Sequence, residues 1–187
     1  MKKILLIWMA MLLLIVKVLA QKGEQDSRPL IQKDESGQYT YQNVVTIDGV
    51  SKEVLFKRAE NYIKTSFKTT DNNIQFDQES AYILNTGTIV LPAQPKSSFF
   101  QYQKAAYDFK IELWFKEGKY KVVVSNIMIY VQWDYNWTET KSFQEYSEST
   151  KKKYKRLAEE VSNSIMKVLN DLETASRQDK HTKDEEW

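Results

Sequence analysis

The sequence predicts an α+β domain: a mostly antiparallel, curved sheet with two helices packed on one face, in the order β-α-β-β-β-β-α. Three observations carry this. Tyr107, Phe109, Ile111, Leu113 and Phe115 alternate with Asp108, Lys110, Glu112, Trp114 and Lys116, the mark of a strand with one buried and one wet face. Tyr154, Leu157, Ala158, Val161, Ile165, Val168, Leu169 and Leu172 recur at three and four, the mark of an amphipathic helix. A second helical stripe lies near the start, so strand and helix do not alternate regularly, and both helices must share one face of a single sheet.

The first strand is "YTYQNVVTID", residues 39–48, which stops at Asp48-Gly49. Ser51 can cap the following helix with its hydroxyl, and Glu53 sits in the first turn, where the helix dipole favours a carboxylate. Val50 can staple onto Leu55. Leu55, Phe56, Ala59, Tyr62, Ile63 and Phe67 then form one broad apolar face. A phosphate loop would need several glycines and Gly49 is alone, so this junction turns a corner and carries no chemistry.

Two short strands follow, "NIQFDQES" and "AYILNTGTIVL", with a bulge or kink expected at Gly87. Pro92 and Pro95 flank a loop. The alternating strand comes next, Glu117-Gly118 offers a two-residue hairpin turn, and "KYKVVVSNIMIYVQW" is the partner strand. Its alternation breaks around Ser125-Asn126, which predicts a bulge there or burial on both faces. The long last helix carries Lys151, Lys152, Lys153, Lys155 and Arg156 at its start and Asp171 and Glu173 at its end. That polarity opposes the dipole, so its first turns are expected to fray. The basic cluster suits phosphate or anionic lipid, or simply a solvated surface, since "AEE" follows and dilutes it.

The chain has 187 residues, a one-domain length. Its opening has Lys2 and Lys3, an apolar run from Ile4 to Val16, then Val18-Leu19-Ala20 before the expected cut. This reads as a secretory signal over 1–20, too short to span a bilayer comfortably; an uncleaved anchor is the alternative that Lys17 keeps open. Residues 21–37 read as a flexible polar leader, 38–173 as the domain, and 174–187 as a disordered polar tail. Trp187 in that tail is expected to be exposed. Without the signal's three lysines, 24 of the 27 basic residues face 25 acids, a net charge of −1. No general electrostatic case for nucleic acid survives. The expected setting is a bacterial periplasm or the cell exterior, with no membrane span after cleavage.

There is no cysteine, which removes disulfides, thiolate metal sites, cysteine catalysis and a lipid-modified N-terminal Cys. The one histidine, His181, lies in the polar tail, so neither a Ser-His-Asp triad nor an imidazole metal site is expected. No P-loop, dinucleotide fingerprint or nucleophile elbow is present. The reading is therefore of no cofactor, no metal and no catalytic residue. Two acid pairs remain, Asp77 with Glu79 and Asp108 with Glu112, and a glycosidase-like role for either requires a deep cleft.

The candidate binding residues are aromatic. Trp114 stands on the otherwise polar face of its strand, and Trp133, Tyr135 and Trp137 crowd "VQWDYNWTE". Exposed rings near charges suit sugar stacking or protein contact; buried ones would seal the sheet end beneath the long helix. These features favour a non-catalytic exported module that binds an envelope protein or glycan. The alternatives are a small-ligand or lipid carrier, or a histidine-free acid-pair hydrolase.

"VVTIDGVSKEVLFKRAENYIKTSF", the hairpin around "TGTIVL" and "YDFKIELWFKEGKYKVVVSNIMIY" together resemble a family of exported proteins, mostly from Bacteroidota. It is known as the DUF4468 type, a domain of unknown function with a TBP-like fold. The resemblance covers about residues 38–135 and implies a fold and an exported setting. It brings no activity and no functional residues, and the TBP likeness is architectural, so it does not import DNA binding.

Overall fold

The structure is a computed structural model that describes residues 31–67, 73–94, 102–134 and 137–178, with Trp137 described by its backbone alone. The first elements in chain order are β1 (Gln32–Lys33), β2 (Tyr39–Thr46), α1 (Lys52–Ser66), β3 (Ile74–Asp77) and β4 (Tyr82–Val90). They are followed by β5 (Lys104–Lys116), β6 (Lys119–Asp134), β7 (Trp137–Ser142), α2 (Phe143–Ser147) and α3 (Lys152–Arg177). The sheet is open and antiparallel, in the order β1-β2-β6-β5-β4-β3, with β7 also on β6.

The hairpin of β5 and β6 is its spine. Lys116 pairs with Lys119 across Glu117-Gly118, and Gly118 has φ +66°, a conformation that favours glycine. The same turn anchors the corner before α1. Ile47 N–H donates to Gly118 O at 2.7 Å and Gly118 N–H to Val50 O at 3.0 Å. Ser51 caps α1, its hydroxyl accepting from Val54 N–H at 3.3 Å. The corner is thus fully occupied with turning the chain.

β6 is sixteen residues long, and two strands share one of its edges. β2 pairs with Lys119–Val124 and β7 with Met128–Asp134. Between them Asn126 adopts φ +52°, and the β5–β6 register slips by one residue, Asp108 facing Met128 while Lys110 faces Ser125. This is the bulge expected from the broken alternation. It switches the buried parity from Tyr120, Val122 and Val124 to Ile127, Ile129 and Val131, so both halves of the strand keep their apolar side on one core.

That core lies on one face of the sheet. Tyr107, Phe109, Ile111, Leu113 and Phe115 of β5 are all buried, beneath Leu55, Phe56, Ala59 and Ile63 of α1 and Leu157, Val161, Ile165, Leu169 and Leu172 of α3. Each fully buried Leu or Ile contributes about 2 kcal/mol. Hydrogen bonds tie the layers together. Tyr107 O–H donates to Ser164 Oγ at 2.9 Å, Tyr62 O–H to Val168 O at 3.1 Å, and Arg58 Nη1 to Ser176 O at 2.9 Å.

Three expectations need correction. The β4–β5 ladder runs unbroken through Gly87, which faces Phe109, so there is no bulge or kink there. The glycine makes room instead: a Cβ on it would lie 3.3 Å from Asn85 Nδ2 and 3.4 Å from the Phe67 ring. The end of the polar leader is also structured, because Ile31 enters the core, β1 pairs with β2, and Asp34 Oδ1 closes the turn by accepting from Ser36 and Gln38 N–H. Finally, α3 runs past residue 173 to Arg177, with Ser176 buried. The expected element order also lacks β7 and α2. Residues 1–30, with the expected signal, lie outside the described residues, as do His181 and Trp187.

Candidate functional site

The helices leave the other face of the sheet uncovered. Alternation along β5 puts Asp108, Lys110, Glu112, Trp114 and Lys116 on it, and pairing brings Tyr82 and Lys121 to either side of Trp114. The two rings lie 5.3 Å apart and tilted by 41°, and Lys121 Nζ stands 5.4 Å over the indole. Trp114 is 37% exposed, and Val44, Val90, Met128 and Tyr130 on the same face are also exposed.

The carboxylates between these groups are engaged. Glu112 accepts from Tyr82 O–H at 2.8 Å and pairs with Lys110 at 3.0 Å. Asp108 accepts from Thr88 Oγ1 at 2.5 Å and from Tyr130 O–H at 2.6 Å. Burial, then the Glu112 carboxylate, push the Tyr82 hydroxyl up to about 12, so it stays a donor at neutral pH. The hydrogen bond to Asp108 likewise raises Tyr130. Asp108 and Glu112 are four residues apart on an extended strand, about 13 Å, each with its own partners. Asp77 accepts from Ser80 N–H at 3.0 Å within its own turn. Among the described residues no group of three His, Cys, Asp or Glu is placed to hold a metal. The arrangement is one of fixed donors, acceptors and rings on an open surface.

Trp133 belongs elsewhere. Its ring packs against the core from the helix side, stacked on Tyr154 of α3 at 5.7 Å with 25° between planes. Its Nε1 donates to Glu139 Oε2 at 3.0 Å, and Lys153 Nζ sits 4.3 Å over the ring. Tyr154 O–H donates to the same carboxylate at 2.8 Å, and Lys141 pairs with it. Burial opposes ionisation of Glu139, but hydrogen bonds from Lys141, Trp133 and Tyr154 outweigh it and hold the carboxyl below its usual range. Tyr146, edge-on to Tyr154, is buried with its hydroxyl unpartnered, and burial raises it.

The structure therefore does not gather the four aromatic candidates. Trp114 pairs with Lys121, twelve residues along β6 from Trp133, or roughly 40 Å of strand, and the two indoles serve opposite faces. Trp137 opens β7 opposite Asp134, and Tyr135 lies outside the described residues. Sequence reasoning missed Tyr82, Tyr130, Val44 and Met128. The alternation of "AYILNTGTIVL" held a signal for Tyr82, whereas Met128 and Tyr130 reach the open face only because the bulge reverses parity.

Comparison with known proteins agrees with this architecture. Residues 41–130 match the family described as a domain of unknown function (DUF4468) with TBP-like fold. A crystal structure of a TBP-like protein from Parabacteroides distasonis superposes with a TM-score of 0.66 at 14% identity, covering 79% of this chain and 97% of that one. A DUF4468 family protein from Bacteroides ovatus superposes with a TM-score of 0.60 at 17% identity, covering 84% and 98%. No curated protein matches. Among the described residues no helix is long and apolar enough to cross a membrane. Over residues 41–130 the chain is thus similar to the DUF4468 family, a domain of unknown function, and it has that family's TBP-like fold.

Proposed function

We propose that this chain is an exported, non-catalytic binding module of the bacterial cell envelope, and that its open sheet face takes a protein partner. The carrying observation is that uncovered face, with Trp114 on Tyr82 and the exposed Val44, Val90, Met128 and Tyr130 around bound carboxylates. Aromatic rings on a rigid surface are the commonest anchors of protein contact. Export is supported by Lys2-Lys3, the apolar run and Val18-Leu19-Ala20, and the bacterial setting by the two solved structures. The test places a photocrosslinker at Thr86 on the open face, or at Glu159 on α3, in the chain expressed in a Bacteroides host. One adduct unique to Thr86 is expected. The partner identified from it, purified, should bind the wild type about tenfold more tightly than Trp114→Ala. Adducts only from Glu159, or binding indifferent to Trp114, would overturn the reading.

A second reading has its own observation. A groove of about 850 Å³ opens between α1, α3 and the end of β4, its lining including Phe67, Ile89, Leu91 and Val168 together with Glu160 and Lys167. Its size suits a small amphipathic ligand. Saturable uptake of a fluorescent fatty acid, blocked by Ile89→Trp, would favour a carrier over a docking module.

A further inference from the structure

The open face is electrically lopsided at the β5–β6 hairpin. Lys116 and Lys119 face each other across the turn, and Lys121 is the next residue of β6 on the same side, beside Trp114. Lys116 and Lys119 are exposed. Of the acids nearby, Asp48 is exposed and two others are committed. Glu112 is held by Tyr82 and Lys110, and Glu117 turns to the helix side, where it accepts from Lys52 N–H at 3.3 Å. Among the described residues none of these three lysines forms an ion pair; Lys121 Nζ stands over the Trp114 ring. Exposed Val44 pairs with Lys121 and completes the patch.

From this geometry we infer that the hairpin end of the open face, Trp114 with Lys116, Lys119, Lys121 and Val44, is a docking surface for an acidic protein segment bearing apolar side chains. The inference rests on the open face being the binding surface and adds the partner's chemistry. Three unpaired ammonium groups on one strand pair present a positive field that carboxylates complement, while the indole and Val44 take apolar side chains between them. The same charges attract anionic lipid, but the indole is not free to insert as a membrane anchor: it packs against Tyr82 and beneath Lys121. A peptide, which meets a flat face with charge and apolar groups together, fits better.

The test uses fluorescence anisotropy of the chain with a labelled peptide alternating glutamate and leucine, its lysine counterpart, and phosphatidylcholine vesicles about one-third phosphatidylglycerol. Expected are binding of the acidic peptide alone and marked weakening between about 50 and about 300 mM salt. Binding should weaken at least about tenfold in Lys116→Gln/Lys119→Gln/Lys121→Gln and change little in Lys57→Gln, an exposed lysine of α1 on the other side of the sheet. The glutamine variant keeps polar exposed side chains, and an unchanged melting temperature confirms its fold. Equal binding by the glutamine variant, stronger binding by the lysine peptide, or binding to vesicles without the acidic peptide would each overturn the inference. Failure of the acidic peptide while the Thr86 adduct persists defeats the acidic chemistry alone; loss of both defeats the open face as well.

Discussion

Trp133 stacks on Tyr154 at 5.7 Å with only 25° between the ring planes, and both rings donate to the one carboxylate of Glu139. The pair joins the far end of β6 to the first turn of α3. α3 begins at Lys151 without a side-chain cap and with no acid in its first turn, so this contact does the fastening that a cap would otherwise do.

Trp133→Ala should therefore cost about 2–3 kcal/mol, less than a fully buried Trp because the ring is only partly buried. Trp114→Ala should cost about 1 kcal/mol at most, since it loses one ring contact and one cation–π contact on a wet surface. Urea denaturation of both variants checks this; equal losses would mean that Trp114 is part of the core.

Glu139 makes stability depend on pH. Its carboxyl is held low in the folded chain, so it contributes stability that is fully present above the unfolded value of about 4.3 and is lost as pH falls through the folded value. Glu139→Gln should be less stable at pH 7, and its stability should fall less steeply than the wild type's below about pH 4.3. Parallel acid-unfolding curves would contradict this.

Asn126 sits at φ +52° in the bulge. Asn126→Gly should be neutral within about 0.5 kcal/mol, and Asn126→Val should cost about 1–2 kcal/mol, because a β-branched residue resists that conformation. Deleting Asn126 should leave the chain folded, because Val124 and Ile127 then stand two apart and both halves of β6 keep their apolar side on the core without a bulge. Thermal melts followed by circular dichroism separate the three.

Asn85 is fully buried with neither amide atom partnered, beside Gly87 and the Phe67 ring. Asn85→Leu should raise stability by about 1–3 kcal/mol by replacing an unsatisfied amide with an apolar side chain of the same branching. Gly87→Ala should lower it by about 1 kcal/mol, since the new methyl meets both neighbours. Chemical denaturation gives both signs.

Much of this fold was legible because local signals agreed with global ones. The α1 stripe, the Gly118 hairpin, the bulge at Asn126 and the α3 face each follow from spacing alone. β7 was not legible, because "WTETKS" has no apolar alternation and is a strand only through its pairing with β6. α2 did carry a signal, the Ser142–Glu145 capping box, but at five residues it has no periodicity to read. For the candidate site, Trp114 was readable from strict alternation. Trp133 was not: it follows the bulge at Asn126 and lies where the β6–β7 register slips again, between Gln132 and Asp134.

β2 and β7 lie end to end on the same edge of β6, and neither pairs with Ser125–Ile127. The two ladders share a rail but no rung, so one can detach without unzipping the other. Their chain distances differ greatly. β7 returns to β6 directly, whereas Thr46 must find Lys119 across more than seventy residues. Loop closure of that length is slow relative to a local return. The N-terminal strand is accordingly the last part of the sheet to be laid down during folding and the first to lift when the molecule is pulled from its N-terminus.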